Sequence, residues 1–403
     1  MLVINPRPPE IKILTTRGRS RPRAILKYLK FLAIGVVILI VSAVVFIKLD
    51  TSAAANFTDQ VLRPLLGDAR VIFLEKVFFN ASDKANQLKY SVVQPTNPFL
   101  PRGVAIVPSD SAAQSSNLNL SNVQAIVNTL LDGEGQWHDI PLSLFPKQIV
   151  LADTFIRSDP SRLYSFVTLV QMDMSKLQLW SIAGTAEPGG KFGKPGPGVI
   201  SANVQDNGIL VAAFDGGFQY RDGQYGMIVD NTTYLPLKND LATLVGHKDG
   251  RLEIVKYEGQ DLGSNISFIR QNCPMLVENG VIGTSDDTNK KLWGRTITSD
   301  IYTWRSGIGI TANGNLIFAV GNALVPSTLA SALKAAGAVN AMQLDINPNW
   351  VRFNIFNNFS KADNSYSSTP VMEGIQDGSH SYLFGYKKDF FYVTKKIIAA
   401  TSN

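Results

Sequence analysis

Ile209-Leu210-Val211-Ala212-Ala213-Phe214-Asp215-Gly216-Gly217-Phe218-Gln219-Tyr220 decides how the chain is read. An apolar run of strand length stops at an acid and two glycines, so a buried strand delivers Asp215 to a turn where backbone can approach a ligand closely. Ala341-Met342-Gln343-Leu344-Asp345-Ile346-Asn347-Pro348 repeats the pattern, with a short apolar strand ending in Asp345 before a structure-breaking pair. Two strand-end carboxylates far apart in sequence can share one cleft. The competing reading is that each acid closes a turn or caps a following helix.

Working outward, 403 residues suffice for one large domain or two ordinary ones. A hydrophobic share of 45% with 17% charged describes a folded protein carrying an apolar insert. That insert is Phe31 to Ile47, bracketed by Lys30 and Lys48. At about 1.5 Å per helical residue, a span over 31–49 just crosses a hydrocarbon core of about 30 Å. Before it, eight basic residues stand against Glu10 alone, so residues 1–30 carry +7; of 38 basic and 32 acidic residues in all, 30 and 31 remain, a net −1 for the rest. The pI of about 9.2 therefore belongs to the tail and is no argument for nucleic-acid binding. Under the positive-inside rule the expectation is a single-pass cell-membrane protein, its N-terminus cytoplasmic and its C-terminal domain outside. The alternative is a cleaved signal peptide ending near Ala53-Ala54-Ala55.

Residues 50–93 carry apolar positions at helical spacing (Val61, Leu62, Leu65; Leu74, Val77, Phe78) and are expected as a helical neck. Residues 94–132 turn to Pro, Ser and Asn and are expected as a linker, which places a domain at 133–396. Strands are expected at Gln148–Ile156, Leu163–Met172, Leu177–Ile182, Met227–Val229, Leu241–Val245, Leu252–Tyr257, Met275–Val277, Gly307–Ile310 and Leu316–Val320. A short helix is expected at Val199–Gln205 and a longer one at Ser327–Ala336, opened by Ser327 and closed by Gly337. Many strands and few helices indicate an α+β class: one strand-rich exported domain behind a transmembrane helix and a short neck. Cys273 stands alone, which excludes an intramolecular disulfide and reads as a small buried hydrophobe. The three histidines lack metal-ligand spacing, and no Walker or dinucleotide fingerprint is present, so neither a metal nor another cofactor is expected.

Asp215-Gly216-Gly217, Leu276-Val277-Glu278-Asn279-Gly280, Arg305-Ser306-Gly307 and Leu344-Asp345 follow one another within residues 199–350 in an order and spacing that resemble those of the phosphodiester glycosidase family. The family's Asn-Gly-Gly-Phe-Phe resembles Asp215-Gly216-Gly217-Phe218-Gln219, and its Leu-Val-x-Asn-Gly resembles Leu276-Val277-Glu278-Asn279-Gly280. Its Arg-Thr-Ala-Ile-Gly resembles Arg305-Ser306-Gly307-Ile308-Gly309, and its Leu-Asp-Gly-Gly-Gly-Ser begins like Leu344-Asp345. Two departures stand out: Asp215 replaces the family asparagine, and Ile346-Asn347-Pro348-Asn349-Trp350 replaces the glycine-serine turn. Proline removes a backbone donor that the glycine turn could aim at a ligand.

The resemblance implies hydrolysis of the bond between a sugar's anomeric carbon and a phosphodiester in a surface or exported glycan. It makes Asp215, Asp345 and Arg305 the catalytic candidates, with Arg305 forking onto the phosphate. Gly216, Gly217, Asn279, Gly280 and Arg295 become substrate-binding candidates, and Trp293 or Trp304 could stack on a sugar. The partners implied are a sugar-phosphate or polysaccharide substrate and, through the anchor, the membrane. The alternative function is a catalytically inactive member that tethers polysaccharide or serves as a surface scaffold.

Overall fold

The computed structural model describes residues 83–397, apart from 94, 98, 100, 108–109, 112–114, 190–192, 285 and 295–300. The expected tail (1–30), anchor (31–49) and most of the neck lie outside the described residues. Among those described, no helix is long and apolar enough to cross a membrane.

Three sheets make up the fold, and every pairing among the described strands is antiparallel. The first runs β1 (His138–Asp139), β2 (Leu151–Arg157), β3 (Phe166–Met172), β14 (Leu316–Leu324), β13 (Thr303–Thr311), β15 (Ala338–Ile346), β11 (Met275–Glu278) and β12 (Val281–Ile282). The second runs β7 (Thr232–Leu235), β6 (Met227–Val229), β10 (Ile266–Gln271), β8 (Leu241–His247) and β9 (Leu252–Tyr257). The third runs β17 (Ser365–Pro370), β16 (Phe353–Ser360), β5 (Leu210–Asp215), β18 (Phe390–Lys395) and β4 (Leu177–Ile182). The helices are few: α1 (residues 83–92), α2 (Ala202–Asp206), α3 (Lys290–Trp293), α4 (Pro326–Ala335) and α5 (Ser379–Phe384). The strand-rich α+β class expected from the sequence is thus the observed one.

One apolar core lies between the sheets. Val211, Ala212 and Phe214 of β5 meet Ile308, Phe318, Met342 and Leu344 of the eight-stranded sheet, with Leu244 and Phe268 from the second sheet. Phe214 stacks on Phe353 at 5.5 Å and touches Phe318 and Phe391, forming an aromatic floor under the end of β5. A second core fills the opposite face of the eight-stranded sheet, where Leu329, Ala330 and Leu333 of α4 pack. Gly307 keeps β13 bare there, because a Cβ would meet Leu329 and Leu333 at 3.1 and 3.3 Å. Pro326 rather than Ser327 opens α4: proline suits the first turn, whose N–H groups lack intrahelical partners. The Ser327 hydroxyl is instead spent on Asp287.

The described residues between 94 and 132 depart from the expected linker. Ile106, Leu118, Leu120 and Val123 are buried in the second core, and the Trp137 indole donates to the Ser121 carbonyl at 3.0 Å. Arg102 pairs with the buried Asp153 at 3.0 Å, and Val123 N–H reaches Gly135 O at 2.8 Å. The polar residues face water while every few positions an aliphatic side chain points inward, a spacing too irregular to register as a strand or helix. Leu120→Ala should therefore cost about 2–5 kcal/mol, as for a core leucine. Chemical denaturation of the two proteins checks this, since a linker position would shift stability by under about 0.5 kcal/mol.

Candidate functional site

Antiparallel pairing determines what surrounds Asp215. The end of β5 lies beside the starts of both its neighbours, with Phe353 of β16 opposite Phe214 and Phe390 of β18 opposite Asp215. The residues entering those strands, Arg352 on one side and Lys388 and Asp389 on the other, are thus delivered to Asp215. Asp345 arrives from across the core through a bulge. Gly307 pairs with Gln343 but Arg305 pairs with Ile346, so β15 carries one extra residue opposite Ser306. A bulge re-aims the chain: Leu344 faces the inter-sheet core, Ile346 faces the α4 side, and Asp345 between them turns toward β5.

The result is a continuous buried polar network. Asp215 Oδ2 accepts from the Ser306 hydroxyl at 2.6 Å and from Asp345 N–H at 3.2 Å, while its Oδ1 accepts from Arg352 N–H at 2.9 Å. Asp345 Oδ1 accepts from Ile346 N–H at 2.9 Å, and its Oδ2 is ion-paired with Lys388. The Lys388 ammonium also lies 4.7 Å from the Trp350 ring centroid. Beside them Arg270 forks onto Asp389 at 2.8 and 3.2 Å, and Asp389 accepts Gly217 N–H at 3.0 Å. Asn272 ties the glycine turn to β15, accepting from Phe218 N–H and donating to Gln343 and Leu344 carbonyls.

Asp215, Asp345, Lys388 and Asp389 are each at most 3% exposed. Burial first, and the neighbouring Asp345 charge second, push the Asp215 carboxyl up to about 7, against Ser306, Arg352 and Lys388, which favour its ionised form. Asp345 is also raised by burial, with Lys388 pulling the other way. The two acids are thereby given different environments: Asp345 holds a cation directly, and Asp215, whose carboxylate accepts the Asp345 main-chain N–H, does not. Such a pair can divide the roles of charge stabiliser and proton carrier.

Of the candidates read from the sequence, the structure brings Asp215 and Asp345 together but takes Arg305 away. Strand alternation puts Ser306 on the site face and Arg305 on the opposite one. There its guanidinium donates to the carbonyls of Leu324, Trp293 and Ile301 and to Gln343 Oε1, at 2.8 to 3.2 Å. Burial holds its pKa down at about 10. Arg305 is a structural tie between β13, β15 and α3, not the phosphate ligand of this cleft. Gly216 and Gly217 do border the site, but for packing: a Cβ would fall 2.2 Å from Asp389 Oδ2 at the first and 2.5 Å from Arg270 at the second.

Asn279 and Gly280 are elsewhere. They form the β11–β12 turn with φ of 50° and 77°, held by Asn340 and Val339 at the start of β15. Asn340 is five residues, or about 17 Å of strand, from Asp345, so this pair serves the hairpin and not the site. Arg295 lies outside the described residues. Trp293 is buried in the second core, and Cys273 is fully buried with its thiol pushed up to about 12, as expected of a packing residue. Sequence reading missed Lys388, Asp389, Arg270 and Asn272. Lys388-Asp389 ahead of Phe390-Phe391-Tyr392-Val393 is the recoverable signal, a charged pair at the beginning rather than the end of an apolar strand.

Residues 208–345 match the model of the phosphodiester glycosidase family. The segment that holds both carboxylates thus matches the family its motifs resemble. No curated protein matches the chain. Among solved structures, the zebrafish N-acetylglucosamine-1-phosphodiester alpha-N-acetylglucosaminidase catalytic domain, auto-inhibited by its pro-peptide, is 15% identical, with 64% of this chain and 87% of that one covered and a TM-score of 0.38. A hypothetical protein from Synechocystis is 12% identical, with 62% of this chain and 63% of that one covered and a TM-score of 0.31.

The raised Asp215 carboxyl has a measurable consequence. The native state keeps a proton that the unfolded chain releases near 3.8, so this group's contribution is most favourable below that pH and is lost as pH rises through about 7. Asp215→Asn should therefore gain stability relative to wild type between pH 5 and 8, both within about two units of neutrality. Melting temperatures of the two proteins across that range check it; parallel curves would refute the shift.

Proposed function

We propose that this chain is a hydrolase that cleaves the bond between a sugar's anomeric carbon and a phosphodiester, on a glycan outside the membrane to which residues 31–49 anchor it. The observation that carries the reading is the buried contact of Asp215 with Ser306 and Asp345, with Lys388 on Asp345 alone. The reaction requires a carboxylate beside a developing oxocarbenium ion or an attacking water, and stabilisation of the departing charge. Asp345 fits the first task. Asp215, titrating near neutrality, can accept the proton of the water. The phosphodiester departs as a stable anion, so a strong general acid is not required.

A second reading is a tethered glycan binder without turnover. It is favoured by the full engagement of the Asp345 carboxylate with Lys388 and Ile346 N–H, and by Pro348 where the family has glycine. The anchoring part of the proposal rests on the charge asymmetry around 31–47 alone. Protease added to intact cells should digest the domain and spare residues 1–30.

Activity is tested on a sugar 1-phosphodiester. Asp345→Asn and Asp215→Asn should each lower kcat by about 100-fold or more, the size expected for a positioned acid–base group; Asp345→Asn also strands the Lys388 charge and should cost about 3–5 kcal/mol of stability, so its activity is read at a temperature where melting curves show it folded. Full turnover in both folded variants would remove the pair from the chemistry, and a wild type that binds without releasing sugar would move the protein to the binder class.

A further inference from the structure

With Arg305 turned away, the cations of the site need a new account. Arg270 is committed to Asp389 and to the carbonyls of Phe218, Tyr225 and Gln271, and Lys388 to Asp345. Arg352 differs. Its main-chain N–H fixes it to Asp215, yet its side chain is only half-buried and binds two groups, Gln376 Oε1 at 3.0 Å and the Asn349 carbonyl at 3.4 Å, both through Nη2. Its Nε is buried and has no partner among the described residues.

A second unsatisfied donor stands beside it. Tyr382 of α5 is fully buried, and its hydroxyl has no partner among the described residues. An orphaned buried hydroxyl costs free energy unless something else satisfies it. Gly378 locates the two groups: the position of its missing Cβ is 2.9 Å from Tyr382 Cζ and 3.0 Å from Arg352 Cδ, so these atoms lie within about 6 Å of each other. Tyr386 completes the group, its ring 5.0 Å from the Arg352 guanidinium and edge-on to Tyr382 at 5.9 Å. Burial first, then Tyr386 and the charges of Asp215 and Asp345, raise the Tyr382 pKa against the pull of Arg352, which keeps its hydroxyl a donor.

We propose that Arg352 and Tyr382, walled by Tyr386, bind the phosphodiester group of the ligand next to the Asp215–Asp345 pair. The chemistry is that of an anion: a guanidinium edge and a phenolic O–H are donors, and a diester's two non-bridging oxygens are acceptors matched to such a fork. Arg352 supplies the positive charge at this end, and its main-chain bond to Asp215 sets the carboxylates behind it. The sugar's place beside the anion rests on the glycosidase reading, whereas the anion site itself does not.

The test separates the two. Affinities of the full chain are measured for the methyl diesters of glucose 1-phosphate and N-acetylglucosamine 1-phosphate, and for the corresponding methyl glycosides, which lack the phosphate. Inorganic phosphate is followed separately by phosphorus NMR line width. Wild type should prefer the diesters and broaden the phosphate signal. Arg352→Gln should weaken diester binding by about 10- to 100-fold, as for one charge-assisted contact, and leave glycoside binding as it was. Tyr382→Phe, which keeps the ring, should weaken it several-fold in the same selective way, and Arg352→Lys should recover only part. Diester affinity unchanged in Arg352→Gln and Tyr382→Phe, equal loss of both ligand types, or no response of wild type to any phosphate-bearing probe would each overturn the site. Sugar release that continues with an unaltered KM in Arg352→Gln would overturn it while sparing the hydrolase reading. Arg352-dependent diester binding without sugar release would do the reverse.

Discussion

Charge enclosed in an apolar interior must be balanced there, and that constraint organises this molecule. Three carboxyl groups, Asp215, Asp345 and Asp389, lie with two cations, Lys388 and Arg270, above a floor of phenylalanines. Desolvating an ion costs several kcal/mol even after relaxation, and only close pairing offsets it. Arg270 neutralises Asp389 and Lys388 neutralises Asp345, which leaves Asp215 as the excess acid. A proton on Asp215 brings the cluster to neutrality, in agreement with a carboxyl pushed up to about 7. Fold stability and proton chemistry are therefore set by the same atoms.

The glycine pair follows from this arrangement. The chain leaving β5 must pass directly over the Arg270–Asp389 pair, and side chains at 216 and 217 would collide with it. What reads in one dimension as a ligand-binding turn is, in three, a lid of bare backbone on an ion pair, one amide of which is used to satisfy Asp389.

How much was legible in the sequence depends on the range of the determining interaction. Strands such as Leu177–Ile182, Met227–Val229 and Leu252–Tyr257, and the helix at Pro326–Ala335, are fixed by local pattern and were readable to within a residue. Asp215 and Asp345 were readable because a charge ending an apolar run is locally anomalous. Arg305 was misassigned because motif proximity does not give the face of a strand, and one step of alternation separates it from Ser306. β17, Ser365–Pro370, was missed because an exposed edge strand needs no apolar alternation, and the packed course of residues 94–132 because isolated buried aliphatics in a polar stretch have no period. Lys388 and Arg352 owe their roles to the strand order β16-β5-β18, which no local window contains. That same order places Arg352 at the half-buried rim while its amide reaches inward to Asp215.

The extra residue in β15 makes the site unequally robust to different kinds of genetic change. Substitutions at neighbouring positions alter shape or polarity one side chain at a time. The residue between Leu344 and Ile346 is Asp345 itself, so loss of that one codon would restore regular pairing opposite Ser306 and take the acid with it. Leu344 would stand opposite Ser306 and Ile346 would remain opposite Arg305, so both packing faces of the strand would survive while Asp215 lost its partner acid. The bulge residue is thus dispensable for strand pairing and indispensable for the pair of acids, so a deletion there removes the site and spares the sheet.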